Sequence, residues 1–254
     1  MIEQQAGLVD GSHQCSGILG GMGDGEVGLP AVLLRGVEKA INMQQAPAAR
    51  YVTRLRQSQP DASPAQIIAV LEKRYLATVT GAGAAAGGVA AAPAVGTAAA
   101  FALSGAETVF FFEATALFAL AVAEVQGIRI ADVERRRTLL LAIVLGDNGT
   151  MLVEKMAGRT GQHWAELLPE TIPVSSISAI NKTLSRWFVK RYGRRQGILA
   201  IGRLAPLGIG AAIGAGGNYA FGRTVVTTSR RVFGPAPAGF NNGGPAMIID
   251  GTAG

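Results

Sequence analysis

The sequence predicts an all-α protein, a helical bundle with Gly/Ala-rich helical hairpins and flexible N- and C-terminal tails. Three observations predict it. Apolar residues recur at helical spacing through most of the chain between 29 and 233, and helix-start signals stand at the heads of these segments. No alternating run or Asn-Gly turn joins two strand-like segments. The 254 residues include 35 glycines; 49% are apolar and 16% charged, against about 25% charged in an average soluble domain. That composition excludes a highly charged disordered chain and leaves ample apolar surface for a core. The lone Cys15 excludes an internal disulfide framework and any multi-cysteine metal site.

Residues 1–28 are glycine-rich and polar without a sustained period, and read as a flexible arm. A single helical domain is expected over 29–233, followed by a Pro/Gly/Asn-rich, disordered tail over 234–254. Pro30 opens the first helix, whose apolar side carries Val32, Leu33, Val37 and Ile41. A second helix spans Pro47 to about Gln57. Ser63-Pro64-Ala65-Gln66 starts a third: serine caps, proline fills the first position, and glutamine closes a capping box.

Between Arg74 and Glu107 lie 32 uncharged residues rich in alanine and glycine. About 20 residues cross a bilayer core as a helix, so length suffices, but alanine and glycine contribute little transfer free energy. Pro93 predicts a break, giving two shorter helices that part near Gly87 to Pro93, or a re-entrant hairpin, rather than one clean span. Gly83/Gly87 and Ala92/Gly96 have the spacing that lets helices approach closely. Glu113 and Glu124 interrupt the apolar helix that follows, and eleven residues place them within about 20° of one face. They read as a buried polar seam with Asn218 and Arg223, either lining a ligand path or matched by cations of a neighbouring helix; the second is preferred.

Asp132 caps a helix through Leu139, Leu140, Ile143 and Val144, which the turn residues Leu145-Gly-Asp-Asn-Gly end. After Pro173 an amphipathic helix follows. Ile177, Ile180, Leu184, Trp187 and Phe188 keep apolar spacing, and Lys182, Arg186 and Lys190 recur on another face. The last Gly-rich stretch, Leu204–Gly222, is 19 uncharged residues between Arg203 and Arg223.

Charge is divided sharply. Residues 171–249 hold ten cations and no acid, whereas the rest of the chain sums to −4, with 13 cations against 17 acids. Aromatic residues beside lysine and arginine are what an interfacial helix on an anionic bilayer needs. The candidate headgroup-binding residues are therefore Lys182, Arg186, Trp187, Lys190, Arg191, Arg194, Arg195, Arg230 and Arg231. No helix-turn-helix, finger or RNA-binding signature accompanies the charge, so nucleic acid is not an expected partner. Gly81-Ala-Gly83-Ala-Ala-Ala86 and Gly208-Ile-Gly210-Ala-Ala-Ile-Gly214 imitate a dinucleotide fingerprint, but neither follows a strand. His13, Cys15 and His163 lack the companions of a metal or catalytic site, so no metal, cofactor or catalytic residue is assigned. Asn148 and Asn181 head glycosylation triplets to which no role is given.

The Gly/Ala block with its ETVFFFEATALFALAVAEVQGI continuation, the ERRRTLLLAIVLGD helix and RLAPLGIGAAIGAGGNYAFGR, with Asn218, Tyr219 and Arg223, resemble the EcsC family over roughly residues 60–235. The resemblance implies a helical, membrane-associated bacterial protein and carries over no catalytic residue. Three function classes follow. The first is a non-enzymatic protein that binds anionic lipid at the cytoplasmic face of the cell membrane. It would lie peripherally or insert hairpins, and would serve transport or envelope processes with a membrane protein complex as a further partner. The second is a soluble helical module holding a lipid or other apolar ligand in an internal cavity. The third is an enzyme using Glu113, Glu124 or His163. The opening MIEQQAGLVDGSHQC lacks the basic and apolar regions of a secretory signal, which fits the cytoplasmic face.

Overall fold

A computed structural model of the chain describes residues 36–42, 45–90, 97–156, 164–167, 173–203 and 209–240. The expected arm at 1–28, Val32 and Leu33 of the first helix, the Ala92/Gly96 pair, and His13, Cys15 and His163 lie outside them. The fold is all-α, with no strand among the described residues. Its helices are α1 (36–41), α2 (Gln45–Ser58), α3 (Pro64–Ala90), α4 (Thr97–Val125), α5 (Val133–Leu145), α6 (Asp147–Met156), α7 (Val174–Arg203) and α8 (Ile209–Phe233), with a 3-10 turn at Trp164–Leu167 between α6 and α7.

Helix starts fall where local chemistry places them. Ser63 Oγ accepts from the Gln66 amide at 3.3 Å, and Gln66 Oε1 accepts from the Ser63 amide at 2.8 Å, so the capping box at the head of α3 is reciprocal. Asp132 Oδ1 accepts from the Arg135 amide at 2.9 Å to cap α5. Within the uncharged stretch α3 ends at Ala90, past Gly87, and α4 begins at Thr97; Pro93, where the break is expected, lies outside the described residues.

Two elements run further than the sequence pattern suggested. The turn expected after Leu145 is a single residue, Gly146, at a φ of 70°, and α6 starts directly behind it. A left-handed glycine reverses the chain without a loop, so Asp147, Asn148 and Gly149 serve the head of the next helix. The segment 234–240, expected to belong to the tail, lies against the body. Gln126 Nε2 donates to the carbonyls of Gly234 and Pro235 at 3.4 and 3.3 Å, and the Arg56 guanidinium stands 3.9 Å over the Phe240 ring.

The core gathers Leu71, Tyr75, Phe112, Phe118, Leu120, Leu139, Ile143, Phe188 and Phe233. Tyr75 stacks on Phe118 at 4.7 Å between ring centres, and its hydroxyl shares a 2.9 Å hydrogen bond with Thr115 Oγ1. The most extensive helix pair is α3 with α8. Its register reads directly from facing residues: Gly87 meets Gly210, Gly83 meets Gly214, Gly222 meets Leu76 and Val79, and Glu72 meets Arg230. The order runs backwards along α8, so the helices are antiparallel. A β-carbon at Gly87 or Gly214 would fall on the facing backbone carbonyl. Backbone thus touches backbone, and Gly83 of the first imitation dinucleotide motif and Gly210 and Gly214 of the second lie in this helix seam.

At Gly81 and Gly216, in the same two helices, an added β-carbon would meet nothing within 4 Å. Identical substitutions should therefore act with opposite sign. In urea titrations, Gly87→Ala or Gly214→Ala lowers stability by roughly 1–3 kcal/mol through overpacking, whereas Gly81→Ala or Gly216→Ala raises it by about 0.5–1 kcal/mol through helix propensity. Equal responses at all four positions would refute the backbone contact.

Candidate functional site

The polar residues divide into those that tie helices together and those that face outward. Asn218 is 5% exposed and sits on Gly83, whose missing side chain leaves room for it. Its Nδ2 donates to the Val79 carbonyl at 2.9 Å and to Glu107 Oε1 at 2.7 Å, joining α8 to α3 and α4. A backbone carbonyl has two lone pairs, so Val79 can accept this bond beside its helical one. Asn218 thus belongs to a buried polar seam, whereas Glu107, the second member, has no distinguishing mark in the sequence.

Glu113 and Glu124 do share a side of α4, but separate partners take them. Lys39 of α1 is 2.5 Å from Glu113, and Gln45 at the head of α2 donates to Glu124 at 3.2 Å. Arg223 stands elsewhere: it is exposed. Five residues along an α-helix turn the chain by about 140°, so Arg223 cannot share Asn218's inward face.

Three further ties escaped sequence reasoning. Arg136 is buried and donates to the Ile41, Ile130 and Ala131 carbonyls at 3.1–3.3 Å, closing the end of α1. Gln45 holds the other side of that connection, accepting from the Ile130 amide and donating to the Ile128 carbonyl at 3.1 Å each. Asn181, 3% exposed, donates to the Glu134 carbonyl and side chain at 2.9 Å and accepts from Thr138 at 2.8 Å, binding α7 to α5. The asparagine of the second glycosylation triplet is therefore a buried structural residue. The only available signal was a polar residue at a core position of an apolar period.

The ten cations of the acid-free region have different fates. Arg230 makes a two-bond ion pair with Glu72, its Nε and Nη2 at 2.7 and 2.5 Å from the carboxylate. The Glu72 hydrogen bond, and then its charge, hold the guanidinium above the usual arginine range. A raised arginine value stabilises below the unfolded value and fades only as pH rises through the folded one, so Arg230 stays charged across ordinary pH. Arg231 Nη1 is 2.7 Å from Asp147 Oδ1. Both arginines secure the lower half of α8 to α3 and α6.

On α7 the basic face points out. Ile177, Ile180, Leu184 and Phe188 are at most 1% exposed, whereas Lys182, Arg186 and Lys190 are exposed and Trp187 is 43% exposed. At 100° per residue Trp187 falls on the flank between the basic and buried faces, about 60° from Lys190. Arg191, one turn beyond Trp187 and about 40° from it toward the buried face, is half-buried. Arg194 and Arg195 lie on α7 beyond the residues whose side chains are described.

Gly105–Val125 of α4 is, among the described residues, the stretch long and apolar enough to cross a membrane, with a hydropathy of 1.8; 67% of its apolar window is buried inside the protein. A core helix meets the same test. The apolar gap lined by Val37, Phe112, Thr115 and Phe188 measures about 10 Å³, the room of one water. No group of side chains able to hold a metal ion occurs among the described residues. No protein-family model matches the chain, and neither the curated proteins nor the solved structures give a match.

The seam can be tested by stability. Asn218→Leu keeps the volume but deprives Glu107 of a buried donor, and should lower stability by about 1–3 kcal/mol in chemical denaturation. Adding Glu107→Leu removes the carboxylate that has lost this donor and should recover part of that loss. Additive losses in the double variant would show that the two residues do not interact.

Proposed function

We propose that the protein is a non-enzymatic helical module that binds anionic lipid surfaces through the outer face of α7. The observation that carries this reading is the sequence Arg186, Trp187, Lys190 displayed outward, with Lys182 one turn before, on a helix whose opposite face is fully buried. Each cation near an anionic bilayer contributes about 1 kcal/mol, and an indole on the flank suits the headgroup level. A basic face anchored by tryptophan binds by lying in the interface rather than by spanning it.

Two features favour peripheral attachment over inserted hairpins. Gly83 and Gly87 of α3 are used against Gly214 and Gly210 of α8, and the apolar window of α4 is mostly covered by its neighbours. A cavity-bound apolar ligand has less support among the described residues, where the apolar gap beside Phe112 and Phe188 holds about one water.

Sedimentation with vesicles tests the reading. Phosphatidylglycerol vesicles should retain the protein, phosphatidylcholine vesicles should not, and salt at about 0.5 M should release it. Arg186→Glu and Lys190→Glu should each weaken retention by about fivefold or more, and Trp187→Ala should weaken what remains at high salt. Equal partitioning onto both vesicle types, or none onto either, would sink the proposal.

A further inference from the structure

Where the α5–α6 junction faces the middle of α8 and the exposed end of the described α7 side chains, a polar cleft of about 570 Å³ opens to solvent. Arg191 reaches it from α7, Arg223, Thr227 and Thr228 from α8, and Asn148 from α6. The volume falls within the range of small-ligand pockets, about 300–1,000 Å³. Its walls carry no large apolar side chain. An acyl chain or an aromatic ligand would find nothing to bury against.

The charge balance of the cleft is specific. Among the described residues, no ion pair or hydrogen bond engages the guanidinium of Arg191 or Arg223. The one carboxylate at the rim, Asp147, is already matched by Arg231 at 2.7 Å. Two arginines from different helices thus converge on one concavity with their charge uncompensated. This differs from Arg230, which has the same origin in the sequence but is consumed by Glu72. Arginine's planar fork suits the oxygen pairs of a phosphate, and threonine hydroxyls and an asparagine amide supply further donors and acceptors.

We infer that this cleft binds a phosphate group carried on a small polar body, such as a glycerol phosphate, between Arg191 and Arg223. The same chemistry is offered by a soluble phosphate ester and by the headgroup of an anionic phospholipid. Trp187 lies one turn from Arg191 along α7, so a headgroup could reach the cleft from a surface that the tryptophan touches. The inference uses residues other than Lys182, Arg186 and Lys190, and it stands or falls separately from the surface reading.

Calorimetric titration of the full chain with glycerol 3-phosphate, with glycerol as control, is paired with sedimentation on phosphatidic acid vesicles. Saturable binding of glycerol 3-phosphate that Arg191→Gln and Arg223→Gln each weaken at least about tenfold supports a soluble phosphate site. Loss confined to phosphatidic acid vesicles in these two variants supports the same site with a lipid headgroup as its source. Thr227→Val, an exposed change outside the core, should give a smaller loss in the same assay. Lys182→Glu with Arg186→Glu should weaken vesicle binding and leave glycerol 3-phosphate binding intact. If the wild-type protein binds neither probe, or if Arg191→Gln and Arg223→Gln bind both as well as wild type, the inference is overturned.

Discussion

The close approach of α3 and α8 is the constraint on which the remaining structure depends. Two helices can bring backbone against backbone only where side chains are absent on both, and here Gly83 and Gly87 oppose Gly214 and Gly210. Glycine in a helix interior costs about 1 kcal/mol relative to alanine, and this seam contains several. The offset comes from dispersion across a long contact and from the room left for Asn218, whose amide locks the register by meeting Val79 and Glu107. Further along, the Glu72–Arg230 pair fixes the same alignment with opposite charges. Once this pair is set, α4 packs beside α3, and the rear of α8 is left to form a wall with α6 and α7.

The polar interior follows one physical rule: a donor or acceptor taken from water must find another partner. Arg136 and Gln45 reach backbone carbonyls at the end of α1 and in the 128–131 connection, where the helical pattern leaves groups unpaired, and Asn181 adds its amide to the Glu134 carbonyl at the head of α5. These residues join segments far apart in the chain. They convert irregular stretches such as 128–131 into fixed joints. The apolar core sets the packing, and these ties determine which end of each helix meets which neighbour.

The same accounting sorts the basic region. A cation facing a carboxylate is part of the scaffold, and one facing solvent beside other cations is available to a ligand. Arg230 and Arg231 are of the first kind, whereas Lys182 and Arg186 stand outward and Arg191 and Arg223 line a shared cleft. Net charge by region therefore overstated the available positive surface, because the acids that match α8 come from residues 72 and 147.

By itself the sequence determined the helical class, the caps at Ser63 and Asp132, and the buried and basic faces of α7. All are local: capping chemistry acts over three residues, and a helical period is visible along one segment. Tertiary structure alone decided that the two Gly-rich stretches face each other in antiparallel register, that Glu107 joins Asn218, and that Arg223 leaves the buried seam for a cleft shared with Arg191. Those outcomes depend on which helix lies opposite. Glycine, asparagine and arginine carry no local mark of their partners, and the partner fixes whether each becomes a contact, a tie or an open charge.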